Sequence, residues 1–87
     1  MKQAKIVFSN GDELLLQEDD VLTTVNSCNV NGDIICSMNS TVVLENSFHD
    51  GLIPSILKAV CNNPYFYAPE GIDVIYNSSA IVKIENL

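Results

Sequence analysis

Apolar residues at positions 52, 53, 56, 57 and 60 recur at helical spacing, with Ser55 and Lys58 falling on the other side. The pattern predicts one α-helix over about residues 50–62. Asp50 is the expected N-cap, its carboxylate accepting from first-turn N–H groups and favoured by the helix dipole. Pro54 removes at most one early helix bond, so it is tolerated near this start. Asn62-Asn63-Pro64 ends the helix, because Asn accepts the left-handed cap and Pro64 disfavours helical geometry before it.

The rest of the chain reads as short strands and turns. Lys5-Ile6-Val7-Phe8 runs into Ser9-Asn10-Gly11-Asp12, and Asn-Gly between apolar runs predicts a hairpin with a type I′ turn. Glu13-Leu14-Leu15-Leu16 is the return strand, and Val21-Leu22-Thr23-Thr24-Val25 is a β-branched third strand. Residues 26–29 are polar and ambiguous. Asn31-Gly32-Asp33 repeats the turn chemistry of Asn10-Gly11-Asp12. Residues 34–37 are expected to pair with 41–45 across Met38-Asn39-Ser40. After the helix come the aromatic strand Tyr65-Phe66-Tyr67, the alternating run 72–76, a turn at Asn77-Ser78-Ser79 and a last strand at 80–85. In that last strand Val82 and Ile84 share one face, and Lys83 and Glu85 the other. The sum is an α+β domain: a small antiparallel sheet of about six strands, open or partly closed as a barrel, with the helix inserted before the last strands.

Composition narrows the class. At 87 residues and 47% hydrophobic, the chain is expected to be a single folded domain, near the size where an apolar core alone suffices. No apolar run approaches the roughly 18 residues of a membrane span, and no signal-peptide core precedes the first strand, so a cytoplasmic location is expected. Cys28, Cys36 and Cys61 form no C-x-x-C pair and read as reduced thiols. Eleven acids stand against four lysines, and there is no arginine; between Ile6 and Leu57 no lysine occurs at all. Direct binding of nucleic acid or an anionic membrane is therefore not expected, because both need clustered cations. Solubility is the plain account of the excess acid, and attraction of a basic protein partner is the functional one.

Candidate chemistry is sparse. His49 is the single histidine, and it sits beside Asp50 at the expected helix start rather than in a nucleophile motif. Gaps of eight and twenty-five residues between cysteines do not match zinc spacings. The run Asn29-Val30-Asn31-Gly32-Asp33 resembles part of a calcium loop, but Ser27 and Met38 occupy the positions where its charged ligands belong. Glu18-Asp19-Asp20 offers adjacent carboxylates, which between strands read as a solvated turn. These observations predict no enzyme, no cofactor and no metal. The aromatic strand is the best working surface: Phe66 is expected in the core, leaving Tyr65 and Tyr67 together on the other face.

The segments FSNGDELLL (8–16), HDGLIPSIL (49–57) and YNSSAIVKIEN (76–86) together resemble small uncharacterised proteins of Gram-positive bacteria and their prophages. The resemblance implies a setting in which small acidic proteins bind host or defence proteins, and it carries no activity. The expectation is a non-enzymatic, homo-oligomeric binding protein. Glu18, Asp19, Asp20, Tyr65 and Tyr67 would engage, and by engaging inhibit, a protein partner. The alternatives are an oligomeric small-molecule-binding or sequestering protein and a structural subunit of a larger assembly. An edge strand at residues 5–8 or 80–85 would serve pairing in each case.

Overall fold

Strict alternation in the first strand sets the core. In the computed structural model, which describes residues 2–69 and 73–87 (side chains of 27–30 and 34–39 excepted), β1 (Gln3–Phe8) buries Ala4, Ile6 and Phe8 on one face. β2 (Glu13–Gln17) pairs antiparallel with β1 so that Leu16 lies opposite Ala4 and Leu14 opposite Ile6, on that same face. β7 (Ile81–Asn86) takes the other edge of β1, with Ile84 opposite Ile6. β1 is thus the centre of a three-stranded sheet, and residues 5–8 are not the free edge that was expected. The register shifts between Val7 and Phe8, which pair with Lys83 and Ile81. Val82 is the extra residue of that bulge and is 65% exposed, so Ile81 and Ile84, rather than Val82 and Ile84, pack on the core.

The β1–β2 turn corrects the type I′ expectation. Only Gly11 has a positive φ (+93°), Gly11 N–H donates to Phe8 O, and Phe8 N–H donates to Asp12 O. This is the three-residue hairpin loop with a left-handed glycine. Asn10 instead uses its side chain, Oδ1 accepting from Asp12 N–H at 3.0 Å. The type I′ geometry occurs at the second copy, where Asn31 (φ +52°) and Gly32 (φ +87°) are both left-handed.

That second turn joins two long strands. β3 (Val21–Val30) and β4 (Asp33–Val43) pair along their whole length, from Val21 opposite Val43 to Val30 opposite Asp33. Residues 34–37 therefore pair with β3 and not with 41–45, and the polar stretch 26–29 is strand. The expected turn at Met38-Asn39-Ser40 is a bulge: Thr24 opposes Ser40 while Val25 opposes Met38, leaving Asn39 as the extra residue. Thr24 holds it. Its buried hydroxyl accepts from Ser40 N–H at 3.1 Å and donates to Ser40 O at 3.0 Å, tying the two strands together beside the bulge.

β5 (Tyr65–Tyr67) continues this sheet beside residues 23–25, and β6 (Ile75–Asn77) follows, giving the order β4-β3-β5-β6. The expected run 72–76 is reduced to β6 at its C-terminal end, and residue 72 lies outside the described residues. A short 3₁₀ turn (Ser78–Ala80), capped by Asn77 Oδ1 accepting from Ser79 N–H, leads into β7. Seven strands in two antiparallel sheets, with a helix, make an α+β fold. The sheets do not close into a barrel. Their inner faces meet at Phe8, Phe66 and Tyr76, whose rings stack with centroids 4.9–6.5 Å apart.

The helix α1 (Ile53–Val60) is shorter than expected. Leu52 stands at the N-cap without a side-chain hydrogen bond, so Asp50 is not the cap. Leu52, Ile56 and Ala59 are buried against both sheets, whereas Leu57, expected on the stripe, is 42% exposed. At the other end the buried Asn63 donates from Nδ2 to Ala59 O at 2.8 Å, capping with its side chain rather than with a left-handed backbone.

Candidate functional site

Each expected contact residue has a structural task. Glu18, Asp19 and Asp20 form the tight crossing from β2 to β3, closed by Asp20 N–H donating to Gln17 O. Asp20 Oδ2 accepts from Gln17 N–H at 2.9 Å. Asp19 is left-handed (φ +74°), and its N–H donates to Leu44 O while Leu44 N–H donates to Asp20 O. Glu18 N–H donates to Lys2 O. Asp19 is the exposed member of the three. Tyr65 and Tyr67 share a face of β5, as expected, but both are half-buried between β3 and β6, while Phe66 is fully buried as expected. Asp20 lies with Gln3, residues 14–17 and Pro69 around an open groove of about 450 Å³ that neither tyrosine lines. The structure thus does not gather the acids and the tyrosines around one groove.

Two of the four lysines are held in ion pairs. Lys5 Nζ lies 2.8 Å from Glu13 Oε2 and 3.7 Å from Glu85 Oε2, and Lys83 Nζ lies 2.6 Å from Glu85 Oε1. Hydrogen bonding and attraction to Glu13, then to Glu85, raise the Lys5 pKa above its ordinary value. Lys83 first, and Lys5 after it, lower that of Glu85. Among the described residues Lys2 and Lys58 have no ion pair.

Sequence reasoning overlooked Phe48, which is 92% exposed and edge-on to the His49 ring at 4.4 Å. Phe48 is built to stay there. Ser47 N–H donates to Gly51 O and Gly51 N–H to Ser47 O, closing a small loop with Phe48 near its tip. Asn86 at the end of β7 braces the loop, Nδ2 donating to Asp50 O at 2.9 Å and Oδ1 accepting from Leu52 N–H at 3.2 Å. Gly51 is left-handed (φ +64°), and a Cβ there would fall 2.5 Å from Asn86 Oδ1. Helical spacing alone puts residue 48 in line with 52 and 56; Asp50-Gly51 is the sequence signal that breaks the line. His49 is exposed in this same loop, and no group of three or more His, Cys, Asp or Glu able to hold a metal occurs among the described residues.

A second groove, of about 590 Å³, lies between β4 and α1, lined by residues 40–43, Glu45, Pro54, Ser55 and Lys58. Ser55 Oγ accepts from Glu45 N–H at 3.0 Å and donates to Glu45 O at 3.2 Å, tying the helix to the chain just past β4. No helix among the described residues is long and apolar enough to cross a membrane. No family model, curated protein or solved structure matches this chain.

Proposed function

We propose that this chain is a non-enzymatic binding protein that engages a protein partner with a basic contact surface. The observation that carries the reading is Phe48: a large apolar ring held almost fully in solvent by a braced loop, on a chain of net charge −7. A flexible loop would let the ring fold back; here the backbone on both sides is fixed, so little ordering remains to be done on binding. Glu45 and Asp50, close to it in sequence, and the net charge of −7 supply attraction at long range and orientation at encounter. In the prophage setting implied by the sequence resemblance, such a protein acts by occupying a host protein's surface.

Native mass spectrometry of the protein purified from its own host tests the reading. The expected result is a complex with a co-purifying protein, weakened by salt and by Asp19→Asn, and lost in Phe48→Ser while the fold is retained. A chain or homo-oligomer carrying a reproducible small extra mass would overturn it in favour of a small-molecule-binding protein. A bare homo-oligomer would favour a structural subunit.

A further inference from the structure

Among the described residues four strands lie at the sheet edges, β3 has a further uncovered length beyond residues 23–25, and three of the four edge strands are defended. β6 has three residues. β7 carries Lys83, Glu85 and the Val82 bulge. β2 has five residues, with Glu13 at one end and the Glu18-Asp19-Asp20 turn beyond the other. Short length, charge and bulges are the usual devices against unwanted strand pairing. β4 has eleven residues, and between Asp33 and Glu45 no charge and no proline.

The hydrogen-bond pattern says which groups of β4 are free. Leu44 N–H donates to Asp20 O, across the β3 side. Alternation along an antiparallel ladder therefore turns the N–H and C=O of residues 41, 43 and 45 outward. At Glu45 both groups are taken by Ser55 Oγ. At Thr41 and Val43 they have no partner among the described residues. Past Thr41 the bulge at Asn39 breaks the regular spacing. The usable edge is short and bounded at both ends, with α1 forming a wall beside it.

We propose that this groove binds the C-terminal peptide of a protein partner as an added antiparallel strand. The proposal rests on the reading that the chain works by binding a protein. An antiparallel strand would run its C-terminus from the Glu45 end toward Ser40, where the bulge prevents further pairing and a chain terminus fits better than a passing segment. Lys58 lines the groove about one helical turn beyond Ser55 and has no ion pair, although Glu45 lines the same groove. It is the one cation of that wall, and the terminal carboxylate is its complement. Val42 and Val43, on opposite faces of β4, and Pro54 on α1 offer apolar contact to side chains of the bound strand.

The test uses random heptapeptides displayed with free C-termini, selected on the wild-type protein, then synthesised as acid and amide. The acid is expected to bind and to shift the amide signals of Thr41, Val43 and Lys58, with the amide form weaker by about tenfold. Thr41→Pro removes an outward N–H and is expected to abolish binding, and the exposed Lys58→Glu to weaken the acid to the level of the amide; if Thr41→Pro does not fold, Lys58→Glu decides. Equal binding of acid and amide, shifts confined to other residues, or no enrichment over background would overturn the proposal. So would a dimer in sedimentation with the Thr41 and Val43 amides protected, which would assign the edge to a second copy. Partner capture retained in Lys58→Glu but lost in Phe48→Ser would remove the groove and leave the wider reading standing.

Discussion

Gly51 and Asn86 show how one backbone position depends on a side chain thirty-five residues away. Gly51→Ala meets two penalties together, a left-handed φ and a Cβ at 2.5 Å from Asn86 Oδ1. It should cost about 1–3 kcal/mol in urea unfolding. Gly11→Ala, also left-handed but with nothing within 4 Å of the new Cβ, should cost less. The order would reverse only if the Asn86 brace were not formed in solution. Thr24→Val keeps shape and volume but leaves Ser40 N–H without the hydroxyl that accepts from it at 3.1 Å. A loss of about 1–3 kcal/mol is expected, and a neutral result would mean that the bulge re-forms around water. Neither dependence was legible in the sequence, because each joins residues far apart in the chain.

At the scale of elements, alternation was readable where one face is buried and the other wet. β1 follows it in sequence and burial, but Leu14-Leu15-Leu16 hides it in β2, where Leu15 is 58% exposed, and the bulge at Val82 breaks the alternation expected in the last strand. Alternation failed for the β3–β4 hairpin. Residues 26–29 are too polar to declare a strand, and Met38-Asn39-Ser40 carries a turn-like composition that serves a bulge instead. The distinguishing information was the pair of turns: only Asp33 separates Asn31-Gly32 from its apolar run, and that turn takes the tight two-residue geometry, whereas Asp12 and Glu13 follow Asn10-Gly11, which does not. The helix start was misplaced for a related reason, since Asp50 looks like a cap until Gly51 turns the chain away. Between β1, β2 and β7 the Lys5–Glu13–Glu85–Lys83 cluster makes a pH prediction. The folded pKa of Glu85 is lowered, so its contribution is present above the ordinary carboxylate value near 4.5 and is lost as pH falls through the folded value. The Lys5 pKa is raised, so its contribution is complete below about 10.5 and is lost as pH rises through the folded value. Melting temperature measured against pH should thus show these contributions constant across the neutral range. All four side chains are partly exposed, so the effect should shrink with added salt. Lys5→Met should remove the Lys5 share of the alkaline fall and lower the neutral plateau by the same small amount.

For the whole molecule, charge and shape point the same way. The protein extends 45 × 25 × 22 Å, and only residues 23–25 of β3 are covered by β5, so the outer half of the β3–β4 hairpin has no third strand. The uncharged residues between Asp33 and Glu45 belong to a chain of net charge −7, which repels its own copies at long range while leaving the β4 edge at Thr41 and Val43 open to pairing. Composition alone announced the acidity. It could not announce that Lys5 is consumed by the strands on either side of it, that Lys58 is left beside an open edge, or that Phe48 is held outward, since the first two follow from the strand order and the last from the loop that Asn86 braces. Amide hydrogen exchange measures directly whether the β4 edge is free in the isolated protein. A free edge gives fast exchange at Thr41 and Val43 between slow exchange at Val42 and Leu44, independent of protein concentration. Slow exchange at all four positions would contradict it, because the edge would then already be paired.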